Sequence, residues 1–211
     1  MIPYYETPNG RLWHGDCLEW MEHAKGIDLV LTDPPYGIGY GGSMRIGQEK
    51  HGWTQYEGGW DESRPTKEIF ALILKISGDQ IIWGGNYFTD YLPPSIQWFV
   101  WDKGQRNFTL ADCELAWSSQ QKASRIFNYS RRAAIQDGKK HPTQKPVALM
   151  VWCLNKHPKA TITLDPFLGS GTTAVACERL NRRWIGIEIE EKYCEIAAKR
   201  IENERKQLKL W

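Results

Sequence analysis

The sequence predicts an α/β fold, a largely parallel sheet with helices on both faces. Short apolar runs bounded by turn residues alternate with longer amphipathic stretches, the signature of buried strands connected by helices. Two of those runs stop abruptly, one in a double-proline turn at 33–36 and one in a glycine-rich turn at 165–171. In open α/β sheets ligands bind beyond such strand ends. A chain of 211 residues suffices for one domain, 1–211, with a sizeable core and modest insertions.

Strands are expected at residues 11–14, 27–32, 80–83, 97–101, 114–118, 161–164 and 183–188. The first closes on Gly15-Asp16, and Asp28-Leu29-Val30-Leu31 opens the second. Helices are expected at 65–76, 146–155, 172–180 and 190–206. In the last of these Tyr193, Ile196, Ala197 and Ile201 share one face at helical spacing, which reads as core packing. Two stretches lack periodicity. Residues 37–64 are glycine-rich and polar yet carry Trp53, Tyr56 and Trp60, and read as a mobile loop; 119–140 is a basic insertion. Long irregular stretches in a compact domain are commonly functional, so both are candidates for substrate contact.

Composition is ordinary at 41% hydrophobic and 25% charged, except for 11 Trp, which can pack in a core or serve as platforms for bases. A net charge of +2 announces no nucleic acid by itself. Local clustering says more: Lys122, Arg125, Arg131, Arg132, Lys139, Lys140 and Lys145 face only Asp137 within that run. Such a run can track phosphates, or be a solvated face. The five Cys never form a C-x-x-C pair, and no second pair answers His14 and Cys17, so neither a disulfide framework nor a metal site is expected. The start, MIPYYETPNGRLW, has no apolar signal core and no run reaches membrane-spanning length; a cytoplasmic protein without a membrane partner is expected.

The sharpest chemistry lies in Asp33-Pro34-Pro35-Tyr36, directly after the second strand. Two prolines fix the backbone and remove N–H donors, leaving an acceptor-only edge made of the Asp33 carboxylate and the Pro34 carbonyl. An aromatic amine has two N–H donors and a lone pair delocalised into its ring. Hydrogen bonds to those acceptors draw the nitrogen toward tetrahedral geometry and stabilise the positive charge that grows on it. Tyr36 would stack on an extruded base. A purely structural turn is the other reading.

The glycine turn Leu164-Asp165-Pro166-Phe167-Leu168-Gly169-Ser170-Gly171-Thr172-Thr173 lets backbone approach a ligand closely. The runner-up reading is a phosphate loop, but Thr172 stands where its lysine belongs; the dinucleotide fingerprint lacks its third glycine, where Ala174 stands; an ordinary βα turn is the remaining reading. About twenty residues further on, a strand ends in Glu188, an offset suited to a ribose diol. A nucleoside cofactor without a demanding phosphate fits both features, and S-adenosylmethionine is one.

Together these segments resemble the permuted, beta-group amino-methyltransferases of DNA. TDPPYGIGY (32–40) is similar to that family's catalytic motif and DPFLGSGTT (165–173) to its cofactor loop. HPTQKP (141–146) resembles the segment that cradles the methionine part of the cofactor, and GDCLEWM (15–21) the segment that meets its adenine; GGNYF (84–88) and WDKG (101–104) also look like family segments. The resemblance implies a seven-stranded sheet of the S-adenosylmethionine-dependent, Rossmann-like type in circularly permuted order, with the strand before Asp33 beside the strand before Asp165. It implies Asp33, Pro34, Pro35 and Tyr36 as catalytic. It implies Asp16, Cys17, His141, Thr143, Lys145, Asp165, Phe167, Gly169, Ser170, Gly171, Thr172 and Glu188 as cofactor-binding. A leading Asp in this family goes more often with adenine N6 than with cytosine N4.

The departure is in size. Larger members carry a sizeable recognition region, whereas here only 119–140, helped by 37–64, is available. Readout from so little protein suggests a short site, loose specificity, a homodimer, or a partner subunit that supplies contacts. Arg131 and Arg132 are the first phosphate or guanine contacts to try. The other readings are cytosine N4 methylation, RNA or a small amine as substrate, and an inactive cofactor-binding DNA-binding subunit, against which the intact tetrapeptide speaks. A nucleotide hydrolase is disfavoured by the missing loop lysine.

Overall fold

The computed structural model describes residues 2–39, 61, 63–106, 111–130, 132–133 and 144–208. Its strands are β1 (Tyr5–Glu6), β2 (Gly10–His14), β3 (Ile27–Thr32), β4 (Ser77–Trp83), β5 (Trp98–Asp102), β6 (Cys113–Ser118), β7 (Arg125–Asn128), β8 (Ile162–Asp165) and β9 (Arg183–Glu188). Its helices are α1 (Cys17–Met21), α2 (Lys67–Ile76), α3 (Val147–Asn155), α4 (Thr172–Arg179) and α5 (Glu191–Leu208). The strands form one sheet in the order β1-β2-β9-β8-β3-β4-β6-β5-β7. From β2 to β4 neighbours run parallel; β6 is antiparallel to both β4 and β5, and β7 pairs parallel with β5.

All seven expected strands are present, each within three residues of its expected start, but the described residues hold nine. The first addition, β1, is two residues long, too short for any periodicity to reveal. The second, β7, lies inside the basic insertion. It is a sheet edge with Arg125, Ile126 and Asn128 all exposed, so no inward alternation marks it. Helix α1 was also hidden in the sequence, read there only as a motif; Asp16 caps it, accepting from the Leu18 N–H at 2.8 Å.

Alternate residues of the central strands feed two cores. Leu29, Leu31, Ile81 and Trp83 pack toward Leu149, Met150, Ala174, Cys194 and Ala197 of α3, α4 and α5. Val30 and Ile82 pack toward Cys17, Met21, Phe70 and Ile73 of α1 and α2. Helices on both faces are why these strands are nearly continuous apolar runs. On α5 the buried line is Cys194, Ala197 and Ile201, while Ile196 is 40% exposed. Of the expected face, Ala197 and Ile201 are buried; Ile196 lies at its rim and Cys194 joins the buried line, with Gly171 so close that a Cβ there would lie 2.9 Å from that of Ala197.

The consequence for function is where the strands end. β3 pairs directly with β8, Leu29 opposite Thr163 and Val30 opposite Leu164, as the permuted order implies. The carboxyl ends of β3, β4, β8 and β9 therefore open on one edge of the sheet.

Candidate active site

Asp33 follows β3 immediately, and its carboxylate is held from two sides. Tyr36 Oη donates to Oδ1 at 2.6 Å, and Lys145 Nζ donates to Oδ2 at 2.6 Å. Two bonds leave a carboxylate with unfilled acceptor positions, and the Asp33 side chain keeps 23% of its surface exposed. The turn itself is clamped by Asp61, whose Oδ1 accepts the N–H groups of Tyr36 at 2.7 Å and Gly37 at 2.9 Å.

Lys145 was expected at the cofactor. In the structure its Nζ donates to Asp33, to Tyr36 Oη at 3.1 Å and to Glu114 Oε2 at 3.0 Å, with only 4% of the side chain exposed. Glu114, on β6, also receives Lys103 at 2.7 Å. Burial opposes the Lys145 charge, but Asp33 and Glu114 outweigh it and raise its pKa well above the lysine range. Burial also opposes ionisation of Glu114, yet Lys145 and Lys103 hold its carboxyl down to about 2. Asp33 is pushed upward, chiefly by desolvation.

Tyr36 is not a free platform. Its ring stacks on Tyr87 with centroids 4.7 Å apart and planes at 16°, and a Cβ on Gly84 would fall 2.0 Å from the ring. Tyr87, 39% exposed, is the outer ring of the pair.

The glycine turn is braced from beneath. Asp165 is buried and accepts from Thr32 Oγ1 at 2.7 Å, Thr173 Oγ1 at 2.6 Å and the Phe167 N–H at 3.1 Å. Both its oxygens are engaged within the protein, which makes it a strut between the two strand ends beneath the turn where the cofactor is expected. Burial pushes its pKa up to about 6. Arg200 of α5 grips Ser170 O and Oγ, and Thr172 Oγ1 at 3.2 Å, and burial lowers that guanidinium to about 10.

Glu188, expected to take a ribose diol, closes β9 beside the glycine turn. Its Oε2 accepts the Gly169 N–H at 2.7 Å and its Oε1 the Glu190 N–H at 2.9 Å, leaving further lone pairs for a diol. Gly169 and Gly15 both have positive φ, and a Cβ on either would meet nothing closer than 4.0 Å, so open space borders Glu188 on both turns. Asp16 is exposed beside it, and Cys17 is buried with its thiol pushed up to about 12 by desolvation. These residues fit a nucleoside.

His141 and Thr143 lie outside the described residues, as do Arg131, Lys139, Lys140, Trp53, Tyr56 and Trp60. Arg125 and Arg132 are exposed. Lys122 is exposed too, but its charge bears on His157, which pairs with Asp79 near the start of β4, the end of the sheet away from Asp33. Among the described residues no cluster of three or more His, Cys, Asp or Glu is arranged to hold a metal, and no helix is long and apolar enough to cross a membrane. Glu114, Asp61, Tyr87 and Arg200 were missed. Only Tyr87, inside GGNYF, stood in a segment the sequence had singled out.

The double-proline turn and the glycine turn thus follow neighbouring parallel strands, with Glu188 at the end of the next one, on one edge of an α/β sheet. The family comparison narrows this: the DNA methylase model for N6 and N4 enzymes matches residues 61–199. The chain belongs to the N6/N4 DNA methylase family and is a DNA amino-methyltransferase. The Type II methyltransferase M2.LlaDCHI of Lactococcus lactis subsp. cremoris is 29% identical over 94% of this chain and 91% of its own. The crystal structure of an M1.HpyAVI–SAM complex aligns over 91% of this chain and 98% of that one, with a TM-score of 0.59 and 24% identity. PvuII DNA methyltransferase, a cytosine-N4-specific enzyme, aligns over 94% and 88% with a TM-score of 0.61 and 20% identity.

Proposed function

We propose that this single-domain methylase takes a methyl group from S-adenosylmethionine and delivers it to the N6 amine of an adenine turned out of DNA, acting in the cytoplasm. The observation that carries this reading is the Thr32–Asp165 bond of 2.7 Å, which ties the acceptor turn to the glycine turn one residue from Asp33. Donor and acceptor groups brought into line about 3 to 3.5 Å apart account for most of the catalysis asked of the protein. When bound, the cofactor supplies an electrophilic methyl on a sulfonium, already a good leaving group.

The chain's own work is to hold and to accept. Glu188 takes the ribose hydroxyls, and Gly169 to Thr172 lie along the rest of the cofactor, with Phe167 at its border. Asp33 and the Pro34 carbonyl accept the two amine N–H bonds, and Pro35 fixes their spacing. Tyr87, stacked on Tyr36, offers the outer ring face to the extruded base. Arg132 and Arg125, with Arg131, Lys139 and Lys140, are the phosphate contacts; Lys122, at the far end of the sheet, is left out.

The test is to incubate the protein with methyl-labelled S-adenosylmethionine and unmethylated DNA, digest to nucleosides and identify the product by mass spectrometry. N6-methyladenine is expected. N4-methylcytosine refutes the choice of base, and unlabelled DNA refutes the activity.

Two further results are expected. Glu188→Ala removes the diol acceptor and frees the Gly169 N–H, so cofactor affinity measured by calorimetry falls at least about tenfold, the equivalent of one charged hydrogen bond. Tyr87→Ala raises the KM for DNA several-fold, since a base–aromatic stack is worth about 1–3 kcal/mol, and leaves the cofactor affinity unchanged.

A further inference from the structure

Glu114 stands outside every motif that carries the family resemblance, yet it shares one ammonium, that of Lys145, with Asp33. It enters from β6, a strand antiparallel to β4, and its level is beyond the last residue of β4: Trp83 pairs with Ala116, two residues short of it. There a row of alternating charges forms. Lys103 Nζ meets Glu114 Oε1 at 2.7 Å, Glu114 Oε2 meets Lys145 Nζ at 3.0 Å, and Lys145 Nζ meets Asp33 Oδ2 at 2.6 Å. All four are largely buried, with side-chain exposures of 15%, 26%, 4% and 23%. Such a row balances two anions against two cations. Removing the middle of it leaves an unbalanced buried charge, which is costly.

We propose that Glu114 is a positioning residue for the methyl-transfer reaction: it anchors Lys145 Nζ from the side opposite Asp33 and shares its charge, so that Asp33 is held in place yet remains a strong acceptor for the amine. The inference rests on the acceptor role of Asp33 proposed above. With Lys145 bound to Asp33 alone, the whole ammonium charge would fall on the carboxylate that must receive the substrate. A second carboxylate on the same ammonium divides that pull. Lys103 then keeps Glu114 itself ionised.

The groups facing Asp33 are Lys145 from the segment before α3, Tyr36 from its own turn, Glu114 from β6, and Asp165 from the end of β8. Among them Lys145 favours the Asp33 anion and Glu114 disfavours it. Two substitutions at opposite ends of the same contact must therefore move its titration in opposite directions.

The experiment measures methylation of unmethylated DNA against pH for the full chain and for Glu114→Gln, Glu114→Asp and Lys145→Met, with thermal midpoints followed in parallel. Glu114→Gln keeps an acceptor for Lys145 but loses the charge. It is expected to lower kcat about tenfold with both KM values within twofold, and to move the acid limb of kcat/KM to lower pH. Lys145→Met is expected to move that limb to higher pH. Glu114→Asp, charged but shorter, is expected to lose kcat while leaving the limb in place. An acid limb that stays put in Glu114→Gln, or shifts in the same direction as in Lys145→Met, overturns the proposal, as does a kcat equal to the parent's. Should Glu114→Gln unfold, Glu114→Asp decides: unchanged kcat overturns, reduced kcat at constant KM supports. If the unsubstituted protein leaves DNA unmethylated, the reading of function fails instead, a result separable from any of these.

Discussion

Asp33→Ala abolishes methyl transfer while cofactor affinity stays within about twofold. Removing one preorganised group that stabilises developing charge costs about a hundred- to a thousandfold in rate, and in the proposed reaction Asp33 is also the acceptor that orients the amine. Among the described residues, Glu188 and Gly169, the proposed cofactor contacts, share no hydrogen bond with Asp33, so binding has no reason to follow. Lys145 keeps Glu114 as a counter-ion, which protects the fold from a bare buried cation. The check is single-turnover transfer of labelled methyl to DNA together with calorimetric titration of S-adenosylmethionine. Rates equal to the parent's would remove Asp33 from the chemistry.

Asp165→Ala unfolds the protein more readily and silences it as well. Its carboxylate receives two threonine hydroxyls and one backbone N–H, all in the interior. Leaving such donors unpaired costs about 1–3 kcal/mol each, and rotation of the hydroxyls recovers part of that, so a net loss of about 2–4 kcal/mol is expected. For a chain of this size that is a drop in Tm of about 5–15 °C. Because Thr32 immediately precedes Asp33, loss of the strut also releases the acceptor turn, and the rate falls with the stability. The pH dependence has a definite sign. Burial raises the Asp165 pKa from 3.8 to about 6, so the folded state holds its proton more tightly than the unfolded chain. Its contribution is complete below about pH 4 and is lost as pH rises through about 6. Asp165→Asn removes that segment of the Tm–pH curve. A melt no lower in Asp165→Ala, measured by circular dichroism, would mean the strut bears no strain.

Both of these residues were plain in the sequence, and the reason is physical. Local chemistry leaves local traces: a double proline after an apolar run, glycines where backbone must turn left-handed, an acid closing a strand. Those traces also located the strand ends, and with them the edge on which the site opens. What left no trace was contact between distant segments. Glu114 reaches Lys145 across the sheet, Asp61 reaches back to the Tyr36 N–H, and Arg200 reaches the loop from α5. Nothing in their neighbours distinguishes these from ordinary surface charges. The same blindness hid the bond from Lys145 to Asp33, since its motif speaks only of the cofactor. It also hid the engagement of Tyr36 with Tyr87, because ring stacking between residues 36 and 87 is a property of the folded turn.

The most direct measurement is a crystal structure of the protein with S-adenosylhomocysteine and a DNA duplex bearing its methylation site. The expected result is an adenine outside the helix, its amine hydrogen-bonded to the Asp33 carboxylate and the Pro34 carbonyl, with the cofactor sulfur in line behind it and the ribose on Glu188. A base that lies elsewhere, with Asp33 still closed on Lys145 and Tyr36 and no contact to the amine, would contradict the account.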